Sequence, residues 1–238
     1  MTAGGVLRSS AGRPPGLSVE RALLASGASV VIGCDEVGRG AIAGPVGVGV
    51  AVLDPGRKRI PTGLRDSKLL PEADRVALAP RVRDWAAASA VGLAGNDEID
   101  GVGISRCLGT AGARAIGGLV ALGVGLSGAV VLLDGNWDWL TPGLIAAGLP
   151  VLPQVVTRIK ADRDCASVSA ASVVAKVHRD DLMIERHDDH PVYGWLSNKG
   201  YASRHHYAAI DAHGPCDWHR HTWLHALPSV VAVSADET

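Results

Sequence analysis

Apolar runs in this chain end abruptly in acids. Val30-Val31-Ile32 leads through Gly33 and Cys34 to the adjacent carboxylates Asp35 and Glu36. Ala129-Val130-Val131-Leu132-Leu133 repeats the pattern and ends in Asp134-Gly135. Such uninterrupted runs read as central strands covered on both faces. Val46 to Leu53 alternates small and branched residues as a further strand, turned by Asp54-Pro55-Gly56. Val91–Ala94 and Val151–Ile159 are expected strands as well. Between them fall helical stretches. Val19–Ser26 is short, and Pro71 opens another helix with Glu72 and Asp74 in its first turn. Residues 103–122 and Ser167–Val177 are rich in small side chains that let a helix backbone approach a sheet. A last helix is expected from about Ser203 to Ala212. Gly, Ser and Pro dominate residues 1–18, read as a disordered lead-in, and residues 226–238 read as a disordered tail. No linker divides what lies between. Residues 19–225 are therefore expected to form one domain, with a helical lobe beginning at about residue 187.

Composition narrows the class. Apolar residues make up 47% and charged residues 20% of 238, with six tryptophans and no phenylalanine. The four cysteines are far apart and form no Cys-x-x-Cys pair, which suits a reducing cytosol. Gly and Pro break every run short of the ~18 apolar residues of a membrane span. A cytoplasmic protein with no membrane partner is expected. The net charge of −1 becomes +3 if four acids are reserved for cations, so a nucleic-acid partner is permitted but not demanded.

The candidate chemistry gathers where the apolar runs end. If the strands ending in Asp35 and Asp134 are parallel neighbours, both acids lie at the same sheet edge, where ligands collect in sheets flanked by helices. Asp35 and Glu36 would point to opposite faces of a strand. One could ligate an ion directly while the other reaches it where the strand gives way to a glycine turn. In Gly38-Arg39-Gly40 the glycines free the backbone for close approach and Arg39 supplies a fork of donors for phosphate. Ser67 and Lys68, just ahead of the Pro71 helix, form a reasonable phosphate grip, although taken alone a helix boundary with a solvated lysine is the better reading. Asp97, Glu98 and Asp100 read as helix-start acids. After Ile159 come Lys160-Ala161-Asp162 and then Asp164, either of which could add a carboxylate. All nine histidines lie between His178 and His225. A zinc site built from His205, His206, His213, His219 or Cys216 is set aside, because His206 with His213 and His219 with His221 lack the i, i+4 spacing of common zinc motifs and cysteine thiolates are nearly absent.

These motifs resemble the ribonuclease HII family. The match rests on Gly33-Cys34-Asp35-Glu36-Val37-Gly38-Arg39-Gly40 with Gly44-Pro45, and on Asp66-Ser67-Lys68. It continues in Asp134-Gly135, in Lys160-Ala161-Asp162 followed by Ala170-Ala171-Ser172, and in Lys199-Gly200-Tyr201 with His206, Gly214-Pro215 and His219-Arg220. Ala202-Ser203 and Trp223 depart from the usual pattern without touching a charged group. The resemblance implies a ribonuclease H-like α/β fold: a mixed five-stranded sheet flanked by helices, with a C-terminal helical lobe. It implies Asp35, Glu36, Asp134 and Asp162 as catalytic, metal-holding acids, with Asp164 in reserve for the fourth. Gly38, Arg39, Gly40, Ser67, Lys68, Lys160 and Tyr201 are the implied substrate contacts. Oxygen ligation favours Mg²⁺ or Mn²⁺. The implied substrates are RNA in an RNA–DNA hybrid and single ribonucleotides embedded in duplex DNA, cut by a protein expected to act as a monomer. Two other classes compete. A silent nucleic-acid-binding module would lose an acid, and a small-nucleotide phosphoesterase would need a closed base pocket.

Overall fold

The computed structural model describes residues 14–53 and 59–224. The lead-in up to residue 13, the Asp54-Pro55-Gly56 turn and the tail after Leu224 lie outside the described residues. Five strands form one sheet: β1 (Val30–Val37), β2 (Val46–Val52), β3 (Ala88–Ala94), β4 (Ala129–Asp134) and β5 (Gln154–Arg158). Their order is β3-β2-β1-β4-β5. The first three run antiparallel, and β1, β4 and β5 run parallel. This is the mixed α/β sheet that the motifs imply.

The helices are α1 (Ser18–Ala25), α2 (Glu72–Trp85), α3 (Asn96–Val102), α4 (Ile104–Ala121), α5 (Leu140–Ala146), α6 (Ala161–Asp164), α7 (Ala166–Asp189), α8 (Trp195–Asn198) and α9 (Arg204–His213). Helices α4 and α5 cover one face of the sheet, burying Leu108, Ile116, Leu140 and Leu144 against Ile32, Val48 and Val131. Helices α2 and α7 cover the other, through Leu78, Val82, Ala170 and Val174. The close approach of α7 depends on glycine in the strands as much as on small residues in the helix. A Cβ on Gly33 would lie 2.2 Å from the Ser167 carbonyl carbon, and one on Gly49 would lie 2.4 Å from the Ala171 oxygen. Among the described residues no helix is long and apolar enough to cross a membrane.

Several boundaries differ from expectation. Strand β1 runs on through Asp35 and Glu36 to Val37, because β2 pairs with it past the apolar run, Asp35 opposite Gly49 and Glu36 opposite Val48. The expected 103–122 helix is preceded by a separate helix, with Gly103 (φ 83°) turning the chain between them. Strand β5 starts only after Pro153, since proline cannot donate to a ladder. Helix α7 continues twelve residues beyond Val177. The lead-in is ordered at its end: the Gly16 amide donates to the Asp164 carbonyl at 2.9 Å, the Ala166 amide donates to the Gly16 carbonyl at 2.9 Å, and Leu17 is buried.

The C-terminal lobe packs on the far end of α7. Tyr193, Trp195 and Ala209 bury against Met183 and Ala43, with Trp218 at the edge. Ser203 caps α9 by accepting the His206 amide at 3.1 Å.

Candidate active site

The parallel pairing of β1 with β4 puts Cys34 opposite Leu133. Asp35 and Asp134 are the next residues along that register, just past the end of the parallel pairing. Strand β5 ends at the same edge, and the turn after it delivers α6. Asp162 opens that helix, with its amide donating to Asp134 Oδ1 at 3.3 Å. Asp164 is turned elsewhere, paired with Arg158 at 3.2 Å on the surface.

Asp35 is 1% exposed. Its Oδ1 accepts the Glu36 amide at 2.9 Å, and its Oδ2 is buried without a hydrogen-bond partner among the described residues. Burial and then the Glu36 charge hold the Asp35 carboxyl well above the usual range, against the Ser172 hydroxyl and Lys68. Glu36 is raised by burial and by Asp134, with Arg39 opposing from 3.8 Å. Asp162 is pushed up to about 6, by burial first and then by the charges of Asp134 and Asp66. Carboxylates that disfavour one another's ionisation at a common edge form a site that favours cations. Among the described residues, no three acidic, histidine or cysteine side chains already converge as a preformed ion grip. Lys68 instead reaches in, its Nζ 3.6 Å from Asp162 Oδ2. Burial would lower the Lys68 ammonium, but Asp35, Asp66 and Asp162 outweigh it and raise its pKa.

The donor set fits hard cations. Every candidate ligand is a carboxylate, and an orphaned, buried carboxylate oxygen on Asp35 lies beside others that resist ionisation alone.

Lys68 is set by a single 3₁₀ turn, Ser67–Leu69, whose Asp66 cap accepts the Lys68 amide at 2.9 Å. Ser67 faces inward, its hydroxyl 2.8 Å from that of Ser172, so it joins this turn to α7. Lys160 is exposed, in a left-handed conformation (φ 60°) just ahead of α6. The glycine loop lies at the end of β1: Gly38 has φ 75°, while Arg39 and Gly40 are exposed. The Gly38 amide donates to the Tyr201 hydroxyl at 3.1 Å. The Tyr201 ring is half-buried beneath cations, 5.3 Å from the Arg179 guanidinium and 5.6 Å from Lys176 Nζ.

Some of this was not read from the sequence. Ser172 was legible as part of the Ala170-Ala171-Ser172 motif but with no role assigned, and Arg179 drew no notice. His206, His219 and Cys216 come together in the lobe, yet their ring nitrogens are engaged with one another and with Trp195, the Tyr201 carbonyl and Cys216. The acids of α3 brace the chain: Glu98 pairs with Arg114 at 2.8 Å, and Asp100 accepts the His221 amide at 2.7 Å.

The sequence profile of ribonuclease HII matches residues 32–226, a stretch that contains every acid and loop just described. The chain belongs to the ribonuclease HII family. It is 45% identical over 218 residues to the ribonuclease HII of Streptomyces avermitilis, covering 90% of this chain and 87% of that protein. It is 37% identical to that of Caulobacter vibrioides, covering 94% of this chain and 97% of that one. Among solved structures, the ribonuclease H2 of Pyrococcus horikoshii superposes with a TM-score of 0.63 at 29% identity, over 82% of this chain and 93% of that one. Bst-RNase HIII in complex with Mn²⁺ superposes with a TM-score of 0.65 at 22% identity, over 88% of this chain and 69% of that one, a likeness of fold. The ribonuclease H-like architecture is thus shared well beyond the bacterial relatives.

Proposed function

We propose that this ribonuclease HII hydrolyses the RNA strand of RNA–DNA hybrids and cuts 5′ of single ribonucleotides embedded in duplex DNA, leaving 3′-hydroxyl and 5′-phosphate ends. The observation that carries this reading is one sheet edge holding the four acids next to a glycine loop bonded to Tyr201. Asp35, Glu36, Asp134 and Asp162 would hold Mg²⁺ or Mn²⁺, which when bound supplies Lewis-acid activation of water and stabilisation of the leaving 3′ oxygen.

The chain's own groups do the rest. Arg39, Lys68 and Lys160 place positive charge along the rim for backbone phosphates, with Ser67 anchoring the Lys68 turn. The exposed backbone at Arg39 and Gly40, next to the buried Gly38, faces the sugar, where only the 2′-hydroxyl separates RNA from DNA. Tyr201, held to the loop by its hydroxyl, presents its ring for stacking on the adjoining nucleotide. A monomer working in the cytoplasm, with residues 19–225 as its catalytic unit, completes the proposal.

A gel assay tests it with three substrates: a duplex carrying one ribonucleotide, a hybrid, and a free nucleotide. Cleavage of the first two but not the third is expected. Turnover of the free nucleotide alone would make the protein a small-molecule phosphoesterase, and binding without any cleavage would make it a silent module.

A further inference from the structure

Two arginines under the glycine loop are wholly buried, and both point their donors at backbone carbonyls. Arg179 donates from Nε to Pro45 O at 2.9 Å, from Nη1 to Lys199 O at 2.8 Å and from Nη2 to Ala43 O at 3.0 Å. Arg220 donates from Nε to Gly44 O at 3.1 Å, from Nη1 to Arg39 O at 2.9 Å and from Nη2 to Gly38 O at 2.7 Å. Burial lowers both guanidinium groups, and the neighbouring Arg179 charge helps bring Arg220 to about 9. Two adjacent buried charges with no carboxylate partner among the described residues are costly to a fold, and here carbonyl dipoles are what offset them.

The direction of the Arg220 contacts matters. The chain has no cis peptide among the described residues, so each carbonyl is antiparallel to the amide that shares its peptide plane. Arg220 draws the Gly38 and Arg39 carbonyls inward. The amides in those two planes belong to Arg39 and Gly40, and they must point the other way, toward solvent. Both residues are exposed, and neither amide has a hydrogen-bond partner among the described residues. At Gly40 an added Cβ would meet nothing within 4 Å, so the chain is uncrowded on that side. Arg179 braces the same loop from below, for a Cβ on Gly38 would fall 2.0 Å from its Nε.

We propose that Arg220 is a positioning residue that fixes the Arg39 and Gly40 amides as an outward pair of donors for the 2′-hydroxyl oxygen of the ribonucleotide at the cut. Arg179 holds the loop and the Lys199-Gly200-Tyr201 turn in one frame around it. This rests on the ribonucleotide reading above. Arginine is needed because its planar fork reaches two successive carbonyls at once, which a lysine ammonium cannot do.

Arg220→Lys keeps the charge and removes the fork. Its affinity is compared on a duplex with one ribonucleotide and on an all-DNA duplex of the same sequence, and its kcat/KM is measured on the first. The preference for the ribonucleotide should fall about three- to thirtyfold, the worth of one or two hydrogen bonds, while all-DNA affinity stays unchanged. A folded variant that keeps its full preference overturns the proposal. A wild-type protein that cuts no ribonucleotide-containing duplex overturns the functional reading, and the clamp falls with it.

A second measurement leaves Arg220 in place. In the Asp134→Asn protein, the amide resonances of Arg39 and Gly40 and the Nε–H of Arg220 should move when the ribonucleotide duplex replaces the all-DNA one. Silent amides overturn the proposal even if Arg220→Lys does not fold.

Discussion

The amide of Gly38 donates to the phenolic oxygen of Tyr201 at 3.1 Å, across 163 residues of chain. It is one of several ties between the glycine loop and the lobe. The amides of Ile42 and Ala43 donate to the Gly200 carbonyl at 2.9 and 3.1 Å, and Ala41 bridges to Tyr201 itself. The loop at the end of β1 and the turn before α9 therefore move as one piece. Tyr201→Phe keeps the ring and leaves the Gly38 amide unpaired, whereas Tyr201→Ala also removes the stacking surface. Cleavage at a single embedded ribonucleotide should fall in both, and further in the alanine variant, where lost stacking is worth about ten- to a hundredfold. Steady-state kinetics and melting curves decide the matter. If Tyr201→Ala melts many degrees lower and loses all substrates in proportion, the ring is a core anchor and the junction is read elsewhere.

Asp134 joins the edges of β1 and α6, so its charge acts on Glu36 and Asp162 alike. Asp134→Asn should abolish cleavage with little loss of duplex binding, because on the proposed reading it removes an ion-holding charge and almost no volume. Mg²⁺ at a hundred times its Kd should raise the wild-type melting temperature by about 5–10 °C and leave the variant nearly unmoved. Equal shifts in the two proteins would take Asp134 out of the ion site. Asp162→Asn should behave as Asp134→Asn does. Asp164→Asn should keep activity, since Asp164 is paired with Arg158 on the surface.

Gly40 offers a cleaner probe of the outer face of the loop. An alanine there meets nothing within 4 Å and needs no positive φ, unlike one at Gly38. Gly40→Ala should therefore melt with the wild type and still lose cleavage at an embedded ribonucleotide by about tenfold or more, because a Cβ blocks close approach of the sugar. Full activity in that variant would show that nothing packs over Gly40 during turnover.

What the sequence made legible follows from which forces leave a mark on it. Strands β1 and β4 announced themselves because both faces are buried, and the acids at their ends stood out against the apolar runs. Where β1 stops was not legible. Pairing with β2 carries the strand through polar residues, a tertiary effect with no local signal. Helix α5 escaped notice because Pro142 and Gly143 are poor helix formers, and it is held instead by the tight approach of Gly143 to Gly109. Glu20, in the short Val19–Ser26 stretch, carried no signal of its own, yet it is buried and accepts the Ser167 amide and hydroxyl at 2.9 Å. Arg179 was the hardest to see, and Arg220 was legible only as part of the His219-Arg220 motif, without its contacts. Their partners are carbonyls, which every residue carries, so no motif betrays the contact.

The histidine pair of the lobe supplies the last prediction. His206 Nδ1 lies 2.9 Å from the Tyr201 carbonyl, so that nitrogen must carry the hydrogen. Its Nε2 is then an acceptor, met at 3.1 Å by both Trp195 Nε1–H and His219 Nε2. His219 Nε2 must donate, which leaves its Nδ1 to accept the Cys216 amide at 3.0 Å. The network assigns both rings as neutral, and protonating either would set a donor against a donor. Burial, and then the facing His206, push His219 down to about 4, with His221 and His190 adding to the effect. An unfolded histidine takes its proton near 6.5, so between about 6.5 and 4 the unfolded chain binds the extra proton. Stability from this group is complete above pH 6.5 and is lost on acidification, by about 2 kcal/mol at pH 5. The raised carboxyls of Asp35, Glu36 and Asp162 act in the opposite sense, since they gain stability as the pH falls. His219→Gln keeps those carboxyls and removes the imidazole, so the difference between the two proteins isolates His219. Wild type should lose more melting temperature than His219→Gln between pH 7.5 and pH 5, by about 4–8 °C. Parallel curves, or a His219 ring that titrates near 6.5 by NMR, would mean that the pair is not held neutral and that Tyr201 is anchored without it.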